Sequence, residues 1–153
     1  MDLEQAQSPL IQILLLLLFA LPVIFFLIVQ QNTLKAVSPE NRKMRPAQVW
    51  LQLIPFFGIV WQFIVVVRIS DSIRNELLSR AREDSVLGVS EEQLNSMVSR
   101  RPTHDIGISF CALFICSLVP FIGAIAAMGG LVCWIIYWGQ LARYKAIMER
   151  KFI

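Results

Sequence analysis

The side chains able to do chemistry are few and far apart. His104 is the single histidine, and Cys111, Cys116 and Cys133 are the three cysteines, all inside apolar sequence. Their spacing matches neither a C-x-x-C redox pair nor a zinc site, so they read as small buried apolar residues. His104 precedes an apolar run with no cysteine or carboxylate at metal-ligand spacing, which suits an interfacial or capping residue. Asp71 and Glu76 lie five positions apart, a spacing that does not place two carboxylates on one helix face. They are set instead to pair with Arg74 and Arg80, with Glu76 and Arg80 at i,i+4. Ser109 and Ser117 are small polar residues of the kind that lets helices pack closely. No glycine-rich phosphate loop is present. The polar residues inside apolar sequence are Gln12, Gln52, Gln62 and, at an edge, Arg68. A glutamine in such surroundings bonds to a neighbouring helix or lines a polar permeation or ligand path, and Gln52 and Gln62 could bond to one another. The residues therefore predict a chain that is not an enzyme and takes no cofactor or metal.

The elements that must position these groups follow from composition. Of 153 residues, 56% are hydrophobic and 16% charged, with a mean hydropathy of +0.62. Soluble domains carry roughly 25% charged residues, so a cytosolic enzyme, a disordered tail and a secreted disulfide scaffold all fit poorly. The predicted fold class is an all-α integral membrane protein. After an extracytoplasmic N-terminus, residues 1–9, the run 10–29 is long enough to cross the ~30 Å hydrocarbon core as a transmembrane helix, kinked at Pro22. Residues 30–46 are polar and basic, with Pro39 and Pro46 as breakers, and read as a cytoplasmic loop. Residues 47–67 form either a short re-entrant helical hairpin broken at Pro55-Gly58 or a plain span. Residues 68–105 read as a cytoplasmic helical cap, with Ile69, Ile73 and Leu77 on one face of an amphipathic helix. A second helix starts at Ser90, with Gln93 as its capping partner, Val89 and Leu94 as a staple, and Leu94, Met97 and Val98 as its stripe. Residues 106–142 form a second membrane hairpin turning at Pro120-Gly123, because the uncharged run 106–139 would make one helix of roughly 51 Å. Residues 143–153 are a basic cytoplasmic tail.

Charge sets the orientation. All fourteen basic residues lie at or beyond Lys35, which predicts an N-terminus outside and a cytoplasmic C-terminus. If the segments on both sides of 47–67 and of 106–142 are cytoplasmic, each apolar block must return to the side it left. Three plain spans, with 68–101 outside, remain the alternative, since basic and acidic residues are nearly balanced there. In the two-hairpin arrangement Lys43, Arg45, Arg68, Arg74, Arg143 and Lys145 form a basic ring facing the headgroups, worth about 1 kcal/mol each toward anionic lipid. These basic residues flank apolar runs rather than a soluble face, so nucleic acid is not an expected partner.

An internal echo supports the hairpins. Leu53-Ile54-Pro55-Phe56-Phe57-Gly58 matches Leu118-Val119-Pro120-Phe121-Ile122-Gly123, each where a turn is required. Gly123, Ala127 and Gly130 add a helix-packing face of small residues, suited to assembly or to packing within the chain. The segments Asn41-Arg42-Lys43-Met44-Arg45-Pro46, Val49-Trp50-Leu51, Leu53-Ile54-Pro55, Trp61-Gln62-Phe63 and Cys133-Trp134-Ile135-Ile136-Tyr137-Trp138 resemble a family of small bacterial multi-pass membrane proteins carrying a domain of unknown function. The resemblance covers roughly residues 41–145 and implies a multi-pass protein of the bacterial inner membrane, with no assigned reaction and no catalytic residues. The functional expectation is a non-enzymatic accessory or scaffolding subunit whose partners are membrane lipids and another membrane protein or a second copy of itself. An oligomeric channel or transporter component, and a membrane-shaping, lipid-binding hairpin protein, are the alternatives.

Overall fold

The computed structural model describes residues 3–85 and 101–149. The second cap helix expected from Ser90 through Val98 lies outside them. Among the described residues the chain is all-helical and without strands. Two stretches, Ile11–Ala36 and Gly123–Glu149, are helices long and apolar enough to cross a membrane.

Helix α1 covers Leu3–Ala36 and contains Pro9 and Pro22. It continues two turns past the apolar run, through Gln30 and Thr33, whose side-chain oxygens find partners inside the protein. Thr33 Oγ1 bonds back to the Val29 carbonyl at 2.8 Å. The carbonyls at the helix end are met by Arg42, whose Nε donates to Val37 O and whose Nη2 donates to Lys35 O, both at 2.8 Å. This basic cap also complements the negative end of the helix dipole.

A 3-10 helix, Pro46–Leu53, follows. Pro46 pre-sets its first turn, and the Arg45 N–H donates to Gln48 Oε1 at 3.0 Å. The chain then reverses through Pro55 and Phe56, the latter at φ 61°, into helix α2, Phe57–Ser85. Helix α3, His104–Cys116, and helix α4, Gly123–Glu149, form an antiparallel hairpin. Helix α1 lies against α4 and the 3-10 helix, while α2 lies against α3 and the 3-10 helix.

The core gathers where these elements meet. Phe26 of α1 is its centre, edge-on to the rings of Phe110, Trp134, Tyr137 and Trp138 at centroid distances of 6.1, 5.5, 5.9 and 6.2 Å. Gly107 lets α3 approach α2 and α4, since a Cβ there would lie 2.5 Å from Val66 Cγ1 and 3.0 Å from Tyr137 Cε2. On α2, Val65, Val66, Ile69 and Ile73 are fully buried.

Candidate functional site

Both copies of the six-residue echo lie at a chain reversal and seat their glycine under a carbonyl, although only the first takes a positive φ at its phenylalanine, Phe56. A Cβ on Gly58 would collide with the carbonyl oxygen of Gln52, and one on Gly123 would lie 2.5 Å from the carbonyl oxygen of Ser117. In each case the obstacle is backbone six residues earlier, which cannot swing aside, so glycine is required at both positions. Pro55 and Pro120 sit in the turns themselves, and the phenylalanines after them, Phe56 and Phe121, are 86% and 96% exposed.

Beneath the first turn lies a cleft of about 260 Å³ between α1, the 3-10 helix, α2 and the α3–α4 hairpin. Phe26, Ile59, Phe110, Phe114 and Trp134 form its apolar walls, and Gln52 and Gln62 are its polar residues. The two glutamines do not bond to each other. Gln52 turns to α1, its Nε2 donating to Gln30 Oε1 at 2.7 Å and to Val49 O at 3.0 Å. Trp50 Nε1 donates to Gln31 Oε1 at 3.0 Å, and Trp61 Nε1 to Gln48 O at 2.8 Å, so the 3-10 helix is pinned on both sides. Gln62 has no hydrogen-bond partner among the described residues. Behind Gln52, Gln30 is fully buried and Gln31 half-buried; the polarity of both reads as a loop in the sequence, and only Gln52 and Trp50 from the 3-10 helix show that they belong to the helix.

A second polar cluster joins the C-terminal ends of three helices. Glu76, 2% exposed, accepts from the Ser38 N–H (2.9 Å), Ser38 Oγ (3.0 Å) and Asn41 Nδ2 (2.9 Å). It also accepts from Arg80 Nε and Nη2, at 3.0 and 2.9 Å. Burial alone would raise its pKa, but the donors from Asn41, the Ser38 backbone, Arg80 and the Ser38 hydroxyl outweigh it and hold the carboxyl below the ordinary glutamate value. Arg80 Nη2 reaches on to Met148 O at 2.8 Å, and Asn41 Nδ2 to Ser79 Oγ at 2.8 Å. The expected Glu76–Arg80 pair is present, and Ser38 and Asn41 complete it from 38 and 35 residues away.

The basic residues collect at this end. Arg68 Nη1 donates to Lys43 O at 3.1 Å, and the Lys43 N–H to Ser72 Oγ at 2.9 Å. Lys43, Arg45, Arg68 and Arg143 are exposed. Lys145 pairs with Glu149 at 3.4 Å, while the Nε of Arg74 is buried without a partner among the described residues. Of the small-residue face, Gly123 and Gly130 are buried but Ala127 is exposed, and Ala126 takes the inward position. The face is covered from within, because Leu113 of α3 lies 3.4 Å from where a Cβ on Gly129 would be and 3.5 Å from one on Gly130. The three cysteines are unpaired, and the described residues hold no cluster suited to a metal ion. His104 opens α3, its Nδ1 at 3.0 Å from Asp105 Oδ1.

No known protein family matches the chain, and no curated protein and no solved structure is significantly similar to it.

Proposed function

We propose that the chain is a non-enzymatic integral protein of the bacterial inner membrane that serves as an accessory or scaffolding subunit of a membrane complex. In this reading α1 crosses the bilayer once, with its N-terminus outside. The 47–67 hairpin re-enters from the cytoplasmic face, and the α3–α4 hairpin turns at Pro120–Gly123. The contacts of Glu76 with Ser38 and of Arg80 with Met148 support this topology. They hold the segment after α1, the distal part of α2 and the end of α4 at one end of the molecule, as an arrangement in which both apolar blocks return to the side they left requires.

The observation that carries the functional reading is the contrast along α1. From Phe26 onward the helix is the centre of the core, whereas Ile11, Ile13 and Leu14–Leu18 are 48–69% exposed. Gln12 apart, that stretch is apolar and is not covered by the rest of the described chain, which leaves it open to a partner helix. The partner is another membrane protein or a second copy of this chain. A photo-crosslinking amino acid at Leu14, Leu16 or Leu18 should give one discrete, larger adduct in native membranes. Lipid adducts alone at all three positions would refute the docking role.

Hairpin length favours a second reading. The 3-10 arm, at ~2.0 Å per residue, and the 57–67 arm, at ~1.5 Å, each reach roughly 16 Å, about half of a ~30 Å core. The protein would then occupy more of the cytoplasmic leaflet than of the outer one and act as a wedge. Liposomes of anionic lipid holding only this protein should tubulate if shaping is its role.

A further inference from the structure

We infer that the cleft beneath the first Pro-Phe-x-Gly turn is a binding site for a single-chain, uncharged amphiphile with a hydroxyl head, such as a long-chain alcohol. The inference stands whether or not the chain docks on another protein. At about 260 Å³ the cleft lies just below the ~300–1,000 Å³ range of small-molecule pockets, so it fits one chain segment and a small head rather than a whole phospholipid.

The chemistry of the wall selects the head. No charged side chain lines the cleft, so neither a phosphate nor a carboxylate would find a counter-ion. Both N–H groups of Gln52 are engaged by Gln30 Oε1 and Val49 O, which leaves Gln52 only its carbonyl oxygen to offer. Gln62, on the same wall and without a partner among the described residues, offers a donor and an acceptor. Gln62 is half-buried, and beside these apolar walls a ligand that pairs its amide is favoured over one that cannot. A hydroxyl meets one donor and one acceptor of the set at once, donating to one glutamine carbonyl while accepting from the Gln62 amide. A hydrocarbon satisfies none of it. Ile59, Phe110, Phe114 and Trp134 supply the apolar contacts for the chain.

The test uses the full-length protein in lipid nanodiscs and a hexadecanol carrying a diazirine on its chain. Labelling should saturate and map to Phe110, Phe114 and Trp134. Unlabelled hexadecanol should compete, whereas hexadecane and palmitate at the same concentration should not. Gln62→Leu should raise the hexadecanol needed for half competition about tenfold, the effect of losing one good hydrogen bond. Ile59→Trp, which fills the cleft and leaves both glutamines in place, should abolish labelling there, so the test does not rest on one variant. Unsaturable labelling centred on Leu14–Leu18, equal competition by hexadecane, or unchanged competition in both variants would overturn the assignment.

Discussion

Replacing Glu76 by alanine should separate the C-terminal ends of three helices. The carboxylate accepts from Ser38 twice, Asn41 once and Arg80 twice, all between 2.9 and 3.0 Å, at 2% exposure. Hydrogen bonds to a charged group contribute about 1.5–3 kcal/mol each but do not add, and removing one member of a buried pair costs about 3–5 kcal/mol. Arg80 keeps its bond to Met148 O and is 28% exposed, so part of its charge stays hydrated. The expected loss is therefore about 3 kcal/mol, or roughly 6–12 °C in melting temperature for a chain of this size. The assay is thermal unfolding in a mild detergent, followed by tryptophan fluorescence, with Glu76→Gln beside Glu76→Ala. Because folding lowers the Glu76 pKa, its contribution is complete above the unfolded value of ~4.3 and is lost as pH falls toward the folded value. Wild type should thus lose stability on acidification below about pH 4.3, and Glu76→Gln should flatten that acid limb. A Glu76→Ala protein melting within 2 °C of wild type, or an acid limb unchanged in Glu76→Gln, would refute this reasoning.

Three further outcomes follow from the geometry. Gly58→Ala and Gly123→Ala should each destabilise by about 1–3 kcal/mol, since the added methyl meets a backbone carbonyl. Gly139→Ala, with nothing within 4 Å of its Cβ, should be neutral or stabilising by up to ~1 kcal/mol, and equal melting of all three proteins would contradict the turn geometry. Phe26→Ala removes a ring touching four others and should cost about 3–5 kcal/mol in the same melt, where a loss under ~1 kcal/mol would show the aromatic cluster to be dispensable. A phosphatase fused at Gly88 should be inactive and a green fluorescent reporter there bright, since Glu76 and Arg80 tie the preceding helix to the ends of α1 and α4; active phosphatase would overturn the two-hairpin topology.

The paired turns were legible in the sequence because a glycine packed under a carbonyl six residues back is a local demand, written as Pro-Phe-x-Gly twice. The Glu76–Arg80 pair was legible for the same reason, as neighbours on one helix face. The end of α1 was not. Gln30 and Gln31 look like the start of a loop until Gln52 and Trp50 arrive from the 3-10 helix to bond them. Ser38 and Asn41 carried no local sign of their bonds to Glu76. The placement of Gln52 and Gln62 on opposite arms of a hairpin suggests a bond across it, whereas packing against α1 directs Gln52 to Gln30. Of the helix-packing face read at Gly123, Ala127 and Gly130, the glycines turn inward and Ala127 outward, a division that Leu113 on α3 decides and that the dense small residues do not show locally.

The accessory-subunit role is tested most directly by native mass spectrometry of the protein extracted with its lipid at its natural abundance, for wild type and for a chain with Leu14, Leu16 and Leu18 changed to alanine. A stoichiometric complex with another membrane protein or a second copy is expected in wild type and lost in the variant. A lone protomer carrying only lipid in both samples would contradict it.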